Sequence, residues 1–361
     1  MNRITALLVC VVACCIPSAA QQSVTQAVTW TTQSVVLESD FSTWARMVQL
    51  RDGSWLAAYT VTDSPQRIRL KRSFDSMRTW QFVSEVSEQG RILDNPSLAL
   101  RPDGTVLLGI RSEITGQSYW IETYTSQDNG NTFRYQSQVD WDHHQGGVYE
   151  PYLYVLPDGS IACFYTSEVH KFETPAYSQI LSEKVSTDGG ETWGPEIWAI
   201  SQPGEARPGE ANIVPLPGGV LALFYEICGT ENCIGHVSYS TDGVNWPGIG
   251  PAILNTFQDV QAVGLKNGLI FATSNSKDII VSTDFLNSWI DTRQHPFVYG
   301  VWPALYQTGP NEIALVLTGA GDQGQTGEYI RFGTINEAAL QAGNAVNPCR
   351  KPTAGRPQNC Y

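Results

Sequence analysis

Two glutamates interrupt runs that are otherwise apolar and aromatic. Glu150 lies in Gly147-Val148-Tyr149-Glu150-Pro151-Tyr152-Leu153-Tyr154, and Glu226 lies in Leu223-Phe224-Tyr225-Glu226-Ile227-Cys228. A carboxylate in such surroundings costs several kcal/mol unless it is paired or chemically employed. Taken singly, each is accounted for by a salt bridge to a nearby arginine. Taken together they match the pair that glycoside hydrolysis needs, one carboxylic acid to protonate the leaving oxygen and another to attack or to activate water. Glu168, in Tyr165-Thr166-Ser167-Glu168, is the rival for the first role, and its place beyond the expected strand end favours Glu150.

The elements that position this pair come from an internal repeat. Ser126-Gln127-Asp128-Asn129-Gly130-Asn131-Thr132-Phe133 and Ser186-Thr187-Asp188-Gly189-Gly190-Glu191-Thr192-Trp193 share one pattern, with looser copies beginning at Ser73, Ser240 and Ser282. The Ser and Asp side chains bond back to a tight turn, Gly accepts positive φ, and the aromatic anchors the turn from below. A second series of turns runs in phase, at Gly53, Gly104, Gly159, Gly219, Gly268 and, less regularly, Gly309. Two hairpins per unit make four strands in roughly 50 residues, the size of a propeller blade. The sequence therefore predicts an all-β, six-bladed β-propeller with four-stranded antiparallel blades over residues 21–340, closed by pairing of 28–37 with the last blade.

In such a ring the first strand of each blade is nearest the axis. Polar residues upstream of each first turn then share one end of the channel: Arg46, Asp94 with Asn95, Glu150 and Arg207, followed by Gln258 with Asp259 and by Tyr299 with Trp302. Arg111 and Glu226, each seven residues after a turn glycine, reach the same end on second strands. Arg46, Asp94, Asn95, Arg111, Arg207 and Trp302 are the candidate substrate contacts. No cysteine and histidine spacing resembles a metal site, so neither metal nor cofactor is expected.

Composition sets the outer limits. The 22 Lys+Arg against 35 Asp+Glu give a net charge of -13, which argues against nucleic acid as a partner. Residues 1–20 have one basic residue, Arg3, an apolar run and the exit Ser18-Ala19-Ala20, the layout of a secretory signal peptide rather than a membrane anchor. The expected product is a secreted, extracellular, monomeric protein with no membrane association. Of the cysteines remaining after cleavage, Cys163 lies in an apolar strand and reads as free. Cys228 with Cys233, and Cys349 with Cys360 in a strapped 341–361 extension, read as disulfides.

The repeated turn resembles the Asp-box of sialidases and related propellers. More narrowly, Gly147 to Asp158, Ala206-Arg207-Pro208-Gly209, and Phe224 to Gly229 with Cys233 resemble glycoside hydrolase family 93, the secreted exo-α-1,5-L-arabinanases of fungi; Trp44-Ala45-Arg46-Met47 and Asn95-Pro96-Ser97-Leu98 are also similar. The resemblance implies release of arabinobiose from the non-reducing end of arabinan with retention of configuration. It places the acid/base on Glu150, the nucleophile on Glu226, and the family's active-site tyrosine on Tyr299 or else Tyr329. A sialidase, which needs an arginine cluster on the sugar carboxylate, and a non-catalytic carbohydrate-binding propeller are the alternatives.

Overall fold

A computed structural model describes residues 27–143, 147–253, 256–276, 278–322 and 324–340. The signal-peptide reading of residues 1–20 and the Cys349–Cys360 pairing lie outside the described residues.

Six antiparallel sheets follow one another along the chain. Their inner strands are Ser42–Gln49, Ile92–Leu100, Val148–Val155, Arg207–Pro215, Gln261–Gly264 and Gly300–Gly309, and they pack side by side around one axis. Each of the first five blades adds three further strands in sequence order. Blade six has only Glu312–Ala320 and Thr326–Ile335 after its inner strand, and its outer edge is supplied by Val28–Trp30 and Val35–Ser39 from the start of the described chain. This closure joins the two ends of the ring, as the strand-like pattern of 28–37 predicts.

The second strands show why the sheets stack. Trp55–Val61 and Ile161–Ser167 are buried at every position, because each is covered by a neighbouring blade on both faces. Six clusters of buried apolar side chains among the described residues lie at the six blade interfaces. The Asp-box aromatics Trp80, Phe133, Trp193, Trp246 and Trp289 pack against these clusters. Two also bond across an interface, from Trp193 Nε1 to Ser137 Oγ at 3.0 Å and from Trp246 Nε1 to Glu183 Oε2 at 2.9 Å.

Side chains also tie neighbouring inner strands at four of the six junctions. Ser97 Oγ accepts from Leu153 N at 2.9 Å, Tyr152 Oη from Ile213 N at 3.1 Å, Asn212 Oδ1 from Ala262 N at 2.8 Å and Tyr306 Oη from Met47 N at 2.8 Å. These bonds satisfy backbone amides on inner strands that have no further strand to pair with on their axial side, and they fix the height of one blade against its neighbour.

Candidate active site on the propeller axis

The bulges build the site. Register breaks between Thr43 and Arg46, Asp94 and Ser97, Tyr149 and Tyr152, Gly209 and Asn212, and Val301 and Ala304 put an irregularity at the same end of five inner strands. At each break one non-glycine residue takes a left-handed backbone: Trp44 (φ 63°), Asn95 (47°), Glu150 (57°), Glu210 (60°) and Trp302 (51°). In blade five Asp259 (47°), just ahead of the inner strand, does the same. Such a backbone costs a non-glycine residue on the order of 1–3 kcal/mol, and six in equivalent places make this end of the axis the candidate site. Pro96, Pro151 and Pro303 follow three of these residues, where a missing N–H breaks no ladder bond.

The ring so formed has two unlike halves. Blades six and one contribute Trp302 and Trp44, whose rings lie 5.3 Å apart and tilted, with the Arg46 guanidinium 4.9 Å from the Trp44 ring. Blades three, four and five contribute three acids, Glu150, Glu210 and Asp259. Glu226 joins them from the second strand of blade four, where it pairs with Gly209.

Contacts between these acids are specific. Glu210 and Thr166 are polar neighbours acting on the Glu150 carboxyl. Gly209 makes room for it, since a Cβ at that position would stand 3.0 Å from Gln179 Nε2 and Thr166 Cγ2 and 3.3 Å from Glu150 Oε2. The Asp259 backbone amide donates to Glu226 Oε2. Asp259 accepts from Gln261 Nε2 at 2.8 Å and pairs with Arg46 at 3.5 Å. Arg46 also donates to the Trp302 carbonyl at 3.2 Å, linking the acidic half of the ring to the aromatic half.

Burial and like charge shift all four acids upward. Glu226 is pushed up to about 8, first by burial and then by Glu150. Burial and the charge of Asp259 raise Glu150, burial raises Asp259 against the pull of Arg46, and burial with Glu150, Asp259 and Glu226 raises Glu210 well above the usual range. Carboxyls this close cannot all ionise, so the cluster holds protons at neutral pH and titrates as a unit. Asp94, beside Arg111 at 3.1 Å, is raised to about 7 by burial.

The arginines expected at the axis all have acidic partners within the protein. Arg46 pairs with Asp259, Arg111 with Asp94 and Glu113, and Arg207 with Glu168 at 2.6 Å. Glu168, the rival to Glu150, is held by Arg207 and by Lys171 at 3.3 Å. Tyr299 sits at the rim immediately ahead of the blade-six inner strand and is 70 % exposed, whereas Tyr329 is buried and donates to the Gln325 carbonyl at 2.8 Å. Gln258 lies exposed beside Asp259.

Cys228 and Cys233 are disulfide-bonded, as expected, and Cys163 is free and buried. Cys228 Sγ lies 3.2 Å from Glu226 Oε1, so the bridge braces the strand end that carries this acid. Glu226 and these two sulfurs lie close enough to suggest a metal site, but sulfurs bonded to each other are not thiolate ligands.

Sequence reasoning missed Glu210 and assigned no role to Trp44 or Asp259. The signal was available: Trp44, Asn95, Glu150, Glu210 and Asp259 each stand nine residues before the glycine of the first turn in their blade. Arg46, seven before, and Arg207, twelve before, lie outside that register.

A six-bladed propeller with buried acids on its axis defines the class of protein. The family model for the BNR repeat-like domain matches residues 16–240, more than half of the chain, and the chain belongs to that family. A comparison with curated proteins returns no match. Among solved structures, an α-L-arabinanase of Penicillium chrysogenum complexed with arabinobiose is similar at 23 % identity and TM-score 0.72, over 84 % of this chain and 98 % of that one. The GH93 α-L-arabinofuranosidase of Fusarium graminearum with arabinobiose follows at 18 % identity and TM-score 0.66, over 84 % and 98 %. The NanB sialidase of Streptococcus pneumoniae has 11 % identity and TM-score 0.63, over 86 % and 71 %. The resemblance to glycoside hydrolase family 93 is thus matched at the level of fold.

Proposed function

We propose that the protein is a secreted, retaining exo-α-1,5-L-arabinanase that releases arabinobiose from the non-reducing end of arabinan, with Glu150 as acid/base and Glu226 as nucleophile. The observation that carries this reading is the placement of the two glutamates: they come from adjacent blades into one buried acidic cluster where the charge of Asp259 raises the proton affinity of both and Glu150 adds to that of Glu226. Similarity of fold to an arabinanase and an arabinofuranosidase solved with arabinobiose supports the substrate class. The signal-like residues 1–20 support secretion.

In this mechanism Glu150 gives its proton to the glycosidic oxygen as Glu226 attacks the anomeric carbon, forming a glycosyl-enzyme ester. Glu150, now a carboxylate, takes a proton from water, which attacks the ester and frees Glu226. The Asp259 amide bonded to Glu226 partly offsets the burial and the Glu150 charge that raise it, and so favours the anion that attacks, while burial and the Asp259 charge favour the protonated form of Glu150. Asp94, Asn95, Arg111 and Trp302 contact sugar in this reading, Arg46 holds Asp259 in place, and Arg207 and Tyr299 meet the chain at the rim.

The paired arginines favour arabinan over a sialoside. A sialidase keeps guanidinium groups open to the sugar carboxylate, whereas Arg46, Arg111 and Arg207 each have a carboxylate of the protein itself as partner. Incubation with linear 1,5-arabinan and, separately, with sialyl-lactose tests the choice by chromatography of the products. Arabinobiose is the expected product; sialic acid, or no product from either, overturns the reading. Glu150→Gln and Glu226→Gln are expected to lower turnover about 10³-fold, and near wild-type turnover in either removes that residue from the mechanism.

A further inference from the structure

The mechanism above employs two of the four axial acids, and the one between them has no assigned task. Glu210 holds a left-handed backbone at φ 60° on the blade-four bulge and is 8 % exposed. It faces Glu150 on the blade-three inner strand, Glu226 on the second strand of its own blade, Asp259 ahead of the blade-five inner strand and Arg46 on the blade-one inner strand. Its immediate neighbour Gly209 lies against Glu150 Oε2. Arg46, the cation that acts on it among the described residues, is already paired with Asp259.

We propose that Glu210 serves as a neutral hydrogen-bond donor to Glu150, a positioning residue that sets how readily Glu150 gives up and recovers its proton. A protonated carboxyl is the only form of Glu210 that can donate to another carboxylate. The proposal rests on the mechanism above and adds a requirement to its second half. Once Glu150 has passed its proton to the leaving oxygen, it is an anion among acids, with Asp259, Asp94, Glu210, Thr166 and Arg111 as neighbours. Arg111 is shared with Asp94 and Glu113, and the Thr166 hydroxyl donates to the Tyr149 carbonyl at 3.4 Å, so among these neighbours a neutral Glu210 is the donor left to stabilise the Glu150 carboxylate until water attacks. No proton leaves Glu210 in the cycle. The proton given by Glu150 goes to the leaving hydroxyl, and the one it regains comes from water.

Two variants and two readouts test this. Glu210→Gln keeps a neutral donor; Glu210→Met keeps an unbranched side chain and removes the donor. In Glu210→Met the alkaline limb of kcat/KM on linear arabinan moves up by about one pH unit, because Glu150 loses a bond that favours its anion. Its kcat falls about ten-fold more than its kcat/KM, as a Glu150 that holds its proton is a poor base for the second step. Glu210→Gln restores both towards wild type. A Met variant with unmoved limbs, or a Gln variant whose alkaline limb moves down because a negative charge has been removed beside Glu150, overturns the proposal. Difference infrared spectra of wild type against Glu210→Gln at pH 7 provide a readout independent of substrate. A carboxylic-acid carbonyl band lost in the variant supports a neutral Glu210, and its absence overturns the proposal. Should the wild type leave arabinan intact while this band is present, the arabinanase reading fails and the neutral Glu210 stands.

Discussion

Asp188 and Glu150 belong to the same blade, at its two ends, and the fold treats their carboxyls in opposite ways. Asp188 lies at the solvent surface in an Asp-box, accepting from Thr192 Oγ1 at 2.5 Å, Thr192 N at 2.9 Å and Ser186 Oγ at 2.7 Å, and these bonds hold it well below the usual carboxylate range. Glu150 faces three other acids on the axis, and burial raises it. The difference teaches that one end of each blade uses its acid as a structural acceptor whose charge is matched by donors. The other end collects acids whose charges are poorly matched, which is how a fold holds protons ready for transfer.

Linkage gives that comparison a sign. Asp75, in the first Asp-box, is lowered to about 2, chiefly by the Thr79 hydroxyl; its contribution to stability is present above the ordinary carboxyl range and is lost as pH falls through about 2. Glu226 is raised to about 8, so its contribution is present below the ordinary range and is lost as pH rises through about 8. Glu226→Gln, the variant with the largest expected loss of activity, should therefore gain in melting temperature on wild type between about pH 4.5 and 8. A melting-temperature difference that stays flat across this window would mean that the axial acids are no less well matched than the Asp-boxes.

Gly209→Ala comes next in size. The added methyl meets Gln179 Nε2 and Thr166 Cγ2 at 3.0 Å and Glu150 Oε2 at 3.3 Å, so it is accommodated by shifts of a few tenths of an ångström in this group, the acid included. An activity loss of about three-fold or more on arabinan is expected with a cooperative thermal transition retained, since misplacement of a catalytic group by a fraction of an ångström already lowers the rate. Unchanged activity would show that Glu150 does not need its present position.

Asp75→Ala works at the opposite end. It removes acceptors for Thr79 N at 2.8 Å, Thr79 Oγ1 at 2.7 Å and Ser73 Oγ at 2.8 Å. Discounted for solvent exposure, the expected cost is about 1–2 kcal/mol in chemical denaturation, with kcat/KM unchanged. A fall in kcat/KM without a fall in stability would break the division of labour between the two ends.

The two ends also differ in how legible they are in the sequence. An Asp-box is made of bonds among residues at most eight apart, so residue types alone reveal it, and all five copies form turns between third and outer strands. The axial ring depends on register and on neighbours far along the chain. Glu150 is conspicuous because its own strand is apolar. Glu210 follows Pro208-Gly209, which reads locally as a surface turn, and its burial comes from blades three and five. Trp44 resembles a core aromatic until its left-handed backbone places it on the ring. Arg207 points to an acid at the rim, Glu168, 39 residues away in sequence, a pairing that no local pattern encodes.

Glu183 sharpens the comparison, because it lies at the Asp-box side yet behaves like an axial acid. Its Oε2 accepts from the Asp-box tryptophan Trp246 at 2.9 Å, its Oε1 is buried without a partner, and burial raises it to about 8, with the charge of nearby Asp242 adding to the effect. Environment rather than position on the blade therefore decides the direction of the shift. Glu183→Gln keeps an acceptor for Trp246 and removes the ionisation, so its stability relative to wild type should rise modestly from about pH 4.5 to 8, with no change in activity. Melting temperatures across that range check the sign. A relative stability that falls instead would mean that Glu183 is charged and matched in the folded protein, as the Asp-box aspartates are.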